Sequence, residues 1–140
     1  MQTAILAPAA ILITWTLLML IWMASTRLPA LAKAKLPADK TRGRRGGDLD
    51  GVLPDTIQWK SHNYNHLMEQ PTIFYALVAI LAIAGASQSD VDLAWAYVGL
   101  RIAHSVWQSV INTIPVRFSL FFISSHVLMV MAVRAVMLTL

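Results

Sequence analysis

The sequence contains no cysteine. No disulfide can form within it, no protein thiolate can serve as nucleophile, and no cysteine-based metal site can be built. Any thiol chemistry must therefore use a thiol brought by a substrate or cofactor. Charge is also scarce. Asp, Glu, Lys and Arg make up 13% of the residues, about half the share of roughly 25% in soluble domains. Acids are the scarcer sign, 7 against 11 Lys and Arg. Apolar residues reach 57%, above the roughly 45–50% usual for soluble domains, and the mean hydropathy is +0.61. This is the composition of an integral membrane protein. The pI of about 9.9 does not point to nucleic acid. Most of the bases lie together beside an apolar run, which is the mark of a cytoplasmic loop.

The 140 residues are enough for a single membrane domain. Four apolar segments stand out, at about 3–24, 67–86, 91–112 and 118–140. Each has about the 20 residues a helix needs to cross roughly 30 Å of hydrocarbon. None alternates as a barrel strand would. The first has no Lys or Arg before it and is too long for a signal-peptide core, so it reads as a retained helix. The connection at about 25–61 holds Arg27, Lys33, Lys35, Lys40, Arg42, Arg44, Arg45 and Lys60, eight of the eleven bases. It also contains the Gly-rich stretch "TRGRRGGDLDG", which has no helical period. The loop "SQSDVD" carries Asp90 and Asp92 without a base, and the turn "NTIPVRF" carries Arg117. The positive-inside rule predicts a cytoplasmic long loop and Arg117 turn, with both termini outside. The fold class read from this pattern is an all-α integral membrane protein, a bundle of four transmembrane helices.

Polar residues interrupt the apolar helices at definite spacings. Asn65 and Glu69 lie four apart on one helix face, with His62 three residues before Asn65. Arg101, His104, Gln108 and Asn112 recur at intervals of three, four and four, one polar stripe on the third helix. A lone Arg at the depth of Arg101 is costly in hydrocarbon and needs a partner or water. Glu69 is the expected partner. Such a pair could serve structure alone, because polar residues also join membrane helices by hydrogen bonds. One Glu cannot neutralise both Arg101 and Arg117, however, and an anionic ligand would complete the balance. His62, His66 and Glu69 fall at i, i+4 and i+7, a spacing a metal could use. Without a second carboxylate cluster, no metal is assigned.

Two stretches are similar to a known family. "NHLMEQPTIFY" and "RIAHSVWQSVINTIPVRFSLFF", with "MAVRAV" further on, resemble the MAPEG family (membrane-associated proteins in eicosanoid and glutathione metabolism). The second stretch is similar to the microsomal glutathione transferases of that family. "MEQPTIFY" is closer to its bacterial branch, which implies a bacterial inner membrane. The resemblance implies a four-helix bundle assembled as a homotrimer, with glutathione held between neighbouring subunits towards the cytoplasmic side. It implies that Asn65, Glu69, Arg101, His104 and Gln108 contact glutathione as co-substrate, and that Arg117 stabilises its thiolate. A small lipophilic electrophile and membrane lipids are the other expected partners, with no nucleic acid. Three departures are visible, the first being that Glu69 stands four residues after Asn65 where the transferases have three. Only Lys60 precedes Asn65 where the transferases carry an Arg-rich approach, and Gln108 stands where they have a Tyr. Two functions follow: a glutathione-dependent transferase or peroxidase, or a non-catalytic protein of the same fold that binds a lipid or another small anion.

Overall fold

Helices account for most of the chain in the computed structural model, which describes residues 3–140. α1 spans Leu6–Ala34 and α2 is a single turn, Ala38–Thr41. A short 3-10 turn follows at Gly46–Leu49. Then come α3 (Asp55–Glu69), α4 (Pro71–Ala84), α5 (Gln88–Val110) and α6 (Ile114–Thr139).

α3 and α4 are one helix with a joint. Gln70 keeps helical angles, φ −60° and ψ −39°. Pro71 supplies no N–H, so the ladder breaks there. The Ile73 N–H turns to the Gln70 carbonyl at 3.0 Å, and the Glu69 carbonyl accepts the Thr72 hydroxyl at 2.6 Å. The Gln70 side chain ties the joint to two other helices. Its Nε2 donates to Ser125 Oγ at 2.7 Å, and its Oε1 accepts from Tyr97 Oη at 3.2 Å.

Among the described residues, three helices are long and apolar enough to cross a membrane: Leu6–Ala34, the combined Asp55–Ala84, and Ile114–Thr139. α5 does not meet that standard. It buries Asp90, Arg101, His104, Ser105, Gln108 and Ser109 on its inner side. α6 packs along it most extensively, and α1 and α3 reach its polar side chains through Trp15, Asn63 and His66. The outer surface is the reverse. Ile13, Leu17 and Ile21 of α1, Ile83 of α4, and Val133 and Met137 of α6 are exposed. An apolar belt of this extent suits lipid and not water.

Helix ends reach beyond the apolar runs. α1 continues through "STRLPALAKA" to Ala34, where Ala, Leu and Lys favour helix. α3 begins at Asp55, ahead of the apolar run at Leu67. Its polar inner residues each hold a specific partner, which hydropathy cannot register, although Gln58 Oε1 and Asn63 Oδ1 keep none. Ser61 Oγ accepts from Arg27 Nη1 at 2.9 Å, and Asn63 Nδ2 donates to Ser105 Oγ at 2.8 Å. Trp15 Nε1 donates to the same Ser105 oxygen at 2.9 Å, which joins α1, α3 and α5. Gln58 and His62 both reach Asp50 in the loop, at 2.7 and 2.9 Å. These contacts, Gln58 first, hold the Asp50 carboxyl below the usual carboxylate range.

The apolar core lies in the half away from the long loop, where Phe74 stacks on Tyr97 with centroids 4.5 Å apart beside Leu12, Leu81 and Met131. At that end Arg134 is paired with Asp90, whose side chain is fully buried. The expectation that Glu69 takes the buried Arg of a neighbouring helix is not met. Glu69 is exposed, and among the described residues the buried carboxylate paired with an Arg is Asp90, with Arg134.

Candidate functional site

The turn between α5 and α6 builds one wall of a cleft. Asn112 adopts a left-handed conformation, φ +58°, which Asn tolerates better than most residues. Its N–H closes on the Trp107 carbonyl at 2.7 Å and so ends α5. Pro115 sits in the first turn of α6, where its missing N–H costs nothing. This turn brings Asn112 Oδ1 within 2.6 Å of Arg117 Nη1, which fixes the guanidinium one turn into α6. Phe118 and Phe121 follow on the same helix. Together with His66, His104, Gln108 and Ile114, they and Arg117 enclose about 290 Å³.

The other wall is a stack of rings backed by a buried cation. His66 of α3 and His104 of α5 lie face to face, centroids 4.8 Å apart and planes 21° from parallel. Phe121 tilts against His66 at 5.4 Å. Behind the stack, Arg101 is 0% exposed. Its Nη2 donates to His66 Nδ1 at 2.9 Å and to the His66 carbonyl at 3.2 Å. A guanidinium has no acceptor. His66 Nδ1 must therefore carry a lone pair, and its proton sits on Nε2. Arg101 Nε and Nη1 have no protein partner, and neither does Gln108 Oε1 in the cleft wall. Buried polar atoms are nearly always satisfied, so these three sit where further polar groups are expected.

The MAPEG family profile matches residues 5–137, nearly the whole chain. The chain belongs to the MAPEG family. Family membership and the three apolar helices together mark it as an integral membrane protein. No curated protein and no solved structure gave a significant match.

The residues singled out by MAPEG resemblance divide into two groups in the structure. Arg117, His104 and Gln108 line the cleft, and Arg101 lies directly behind it. Asn65 and Glu69 do not join them. Both are exposed, on the outer side of α3. Glu69 makes no ion pair with Arg101; the rotation of α3 that presents Asn63, His66 and Gln70 to the bundle turns Asn65 and Glu69 outward. The stripe of His62, His66 and Glu69 is also divided, because His62 pairs with Asp50 and His66 with Arg101.

Three contributors went unread in the sequence: His66 as partner of Arg101, Asn112 as the clamp on Arg117, and the aromatic wall of Phe118 and Phe121. Asn63, His66 and Gln70 fall at i, i+3 and i+7, a second polar stripe on α3 that marks its inward face.

Proposed function

We propose that this MAPEG protein is a glutathione-dependent transferase or peroxidase acting on lipophilic electrophiles, with Arg117 stabilising the thiolate. The observation that carries it is the cleft guanidinium, oriented by Asn112 and set beside apolar rings. A free thiol has a pKa near 8.5 and is mostly protonated at neutral pH. A cation within hydrogen-bond reach favours the thiolate. The thiol proton leaves to water, the sulfur lone pair forms the new bond to an electrophilic carbon, and the leaving group departs with its electron pair. With a hydroperoxide, two glutathione thiols would supply the two electrons, giving alcohol, water and glutathione disulfide. The absence of cysteine agrees with this division of labour, in which the protein positions and charges a thiol it does not own.

In this reading α5 is a fourth crossing. Its 23 residues rise about 34 Å, and its polar side is shielded by α6 and α3. The long loop and the Arg117 turn face the cytoplasm of a bacterial cell, and the membrane is the inner one. The cleft is small for the task, since ligand sites begin at roughly 300 Å³. Within one chain it lacks Asn65 and Glu69. Both requirements are met if three copies assemble and the outward face of α3 closes the cleft of a neighbour, with Glu69 receiving the α-ammonium of glutathione.

The competing reading is a non-catalytic protein of the same fold that binds a lipid or small anion. The outward position of Asn65 and Glu69 favours it if the chain stands alone. Native mass spectrometry in mild detergent is expected to give a trimer; a stable monomer leaves the cleft half-built and favours the competitor. Glu69→Gln is expected to leave thermal stability within about 0.5 kcal/mol, as for an exposed side chain. It should weaken glutathione binding about tenfold, the worth of a charged hydrogen bond. A large loss of stability would restore the Arg101 pairing, and unchanged affinity would remove Glu69 from the site.

A further inference from the structure

A second, larger cavity lies between the end of α1 and the loop that follows, and encloses about 560 Å³. Five bases line it: Arg27, Lys35, Lys40, Arg44 and Arg45. No carboxylate does. Asp39 and Asp48 stand nearby in sequence, but Asp48 is occupied by the Arg45 backbone N–H at 2.7 Å, and Asp50 by Gln58 and His62. The acid–base pairs among the described residues are Asp50–His62 and Asp90–Arg134, so none of the five bases is neutralised. Arg27 is already committed to Ser61 and the Gly46 carbonyl, at 2.9 and 2.7 Å, and fixes the cavity's frame. The C-terminus of α1 adds about half a negative charge, far short of cancelling five cations.

The rest of the lining is Thr41, Gly46 and three leucines, Leu31, Leu36 and Leu49. Leu31 is one turn beyond Leu28, which is 65% exposed on the belt side of α1. Lys60 lies over the Trp22 ring at 5.0 Å, an aromatic and a base at the level where a membrane interface is expected. The cavity thus sits where the apolar belt meets the basic loop, with charge on one side and leucine on the other.

We infer that this cavity binds a phosphate ester at the membrane surface, with the phosphate among Lys35, Lys40, Arg44 and Arg45 and an apolar portion against the leucines. The phosphodiester of an anionic phospholipid and the phosphate of a soluble metabolite share that chemistry. The site stands apart from the α5–α6 cleft and does not depend on its function.

The test uses the full-length protein in nanodiscs of phosphatidylcholine mixed with phosphatidylglycerol, and reads by native mass spectrometry the phosphatidylglycerol that stays bound on release. Arg44→Gln with Arg45→Gln removes two exposed cavity charges that make no ion pair among the described residues. Lys33→Gln with Arg42→Gln removes two charges from the same loop region outside the cavity. At about fivefold per charge near a membrane, the cavity pair is expected to lose about 25-fold in retained lipid relative to phosphatidylcholine, and the control pair little. Displacement by inorganic phosphate would make the soluble ester the ligand at the same site; resistance to it would make the lipid the ligand. Equal loss in both pairs, or none in the cavity pair, would overturn the inference, because the loop would then act only as a diffuse positive surface.

Discussion

Arg117→Ala is expected to lower kcat/KM for glutathione conjugation by about 100-fold or more, equivalent to about 2.7 kcal/mol, the scale seen when a single stabilising donor is removed from an anionic transition state. The side chain is half-buried at the start of α6, and its hydrogen bond goes to Asn112. Its removal leaves no buried partner stranded, so the fold should lose no more than about 1 kcal/mol. The signature is specific. The pH at which glutathione ionises on the protein should return towards the free-thiol value near 8.5, as followed by ultraviolet difference absorbance. Asn112→Gly supplies an intermediate case. Glycine keeps the left-handed turn but releases the guanidinium, so the thiolate should form less completely while α5 still ends in the same place. If Arg117→Ala ionises glutathione like the parent, the catalytic assignment fails, and the cleft is only a binding or structural feature.

The largest stability effect is expected at the opposite end of the bundle. Asp90 accepts the Ser87 N–H and hydroxyl, both at 2.7 Å, and is paired with Arg134. Its side chain is 0% exposed, whereas that of Arg134 is 31% exposed. The two deletions are therefore unequal. Arg134→Ala strands a buried carboxylate and should cost about 4 kcal/mol. Asp90→Ala leaves a guanidinium that can reach water or headgroups. It should cost about 3 kcal/mol, of which about 1 is the lost helix cap. The double variant should cost less than the sum, with a coupling of about 2 kcal/mol. Thermal unfolding in detergent measures all three. Gln108 lies about 27 Å along α5 from this pair by helical rise, so glutathione affinity should be unchanged in any variant that still folds. Additive costs would mean that the pair does not hold α5 to α6.

The contrast between the two ends shows what sequence pattern could reveal. The polar stripe of Arg101, His104 and Gln108 is a property of one helix, readable from its own period, and these residues do lie on the inward side of α5. The partner of Arg101 is not such a property. Asn65 and Glu69 share a face, as do Asn63 and His66, and only the rotation of α3 against α5 decides which face turns inward. That rotation is set by tertiary contacts, Asn63 with Ser105 and Gln70 with Ser125. Asp90 escaped for another reason. The apolar run begins at Val91, so Asp90 looked like a loop acid. The stretch Ser87-Gln88-Ser89-Asp90 nonetheless has the spacing of a capping box, which places Asp90 inside the first helical turn. The start of α3 was hidden because polar residues with specific partners carry no hydropathy signal, although Pro54 before Asp55 is an ordinary helix-start pattern.

The measurement that bears most directly on the proposed chemistry is a titration of the detergent-purified, unmutated protein with glutathione at neutral pH, read by ultraviolet difference absorbance. A saturable thiolate band, growing to a plateau by millimolar glutathione, is the predicted result. A flat trace at millimolar glutathione would contradict the account and leave a MAPEG-fold protein that binds a lipid or other small anion.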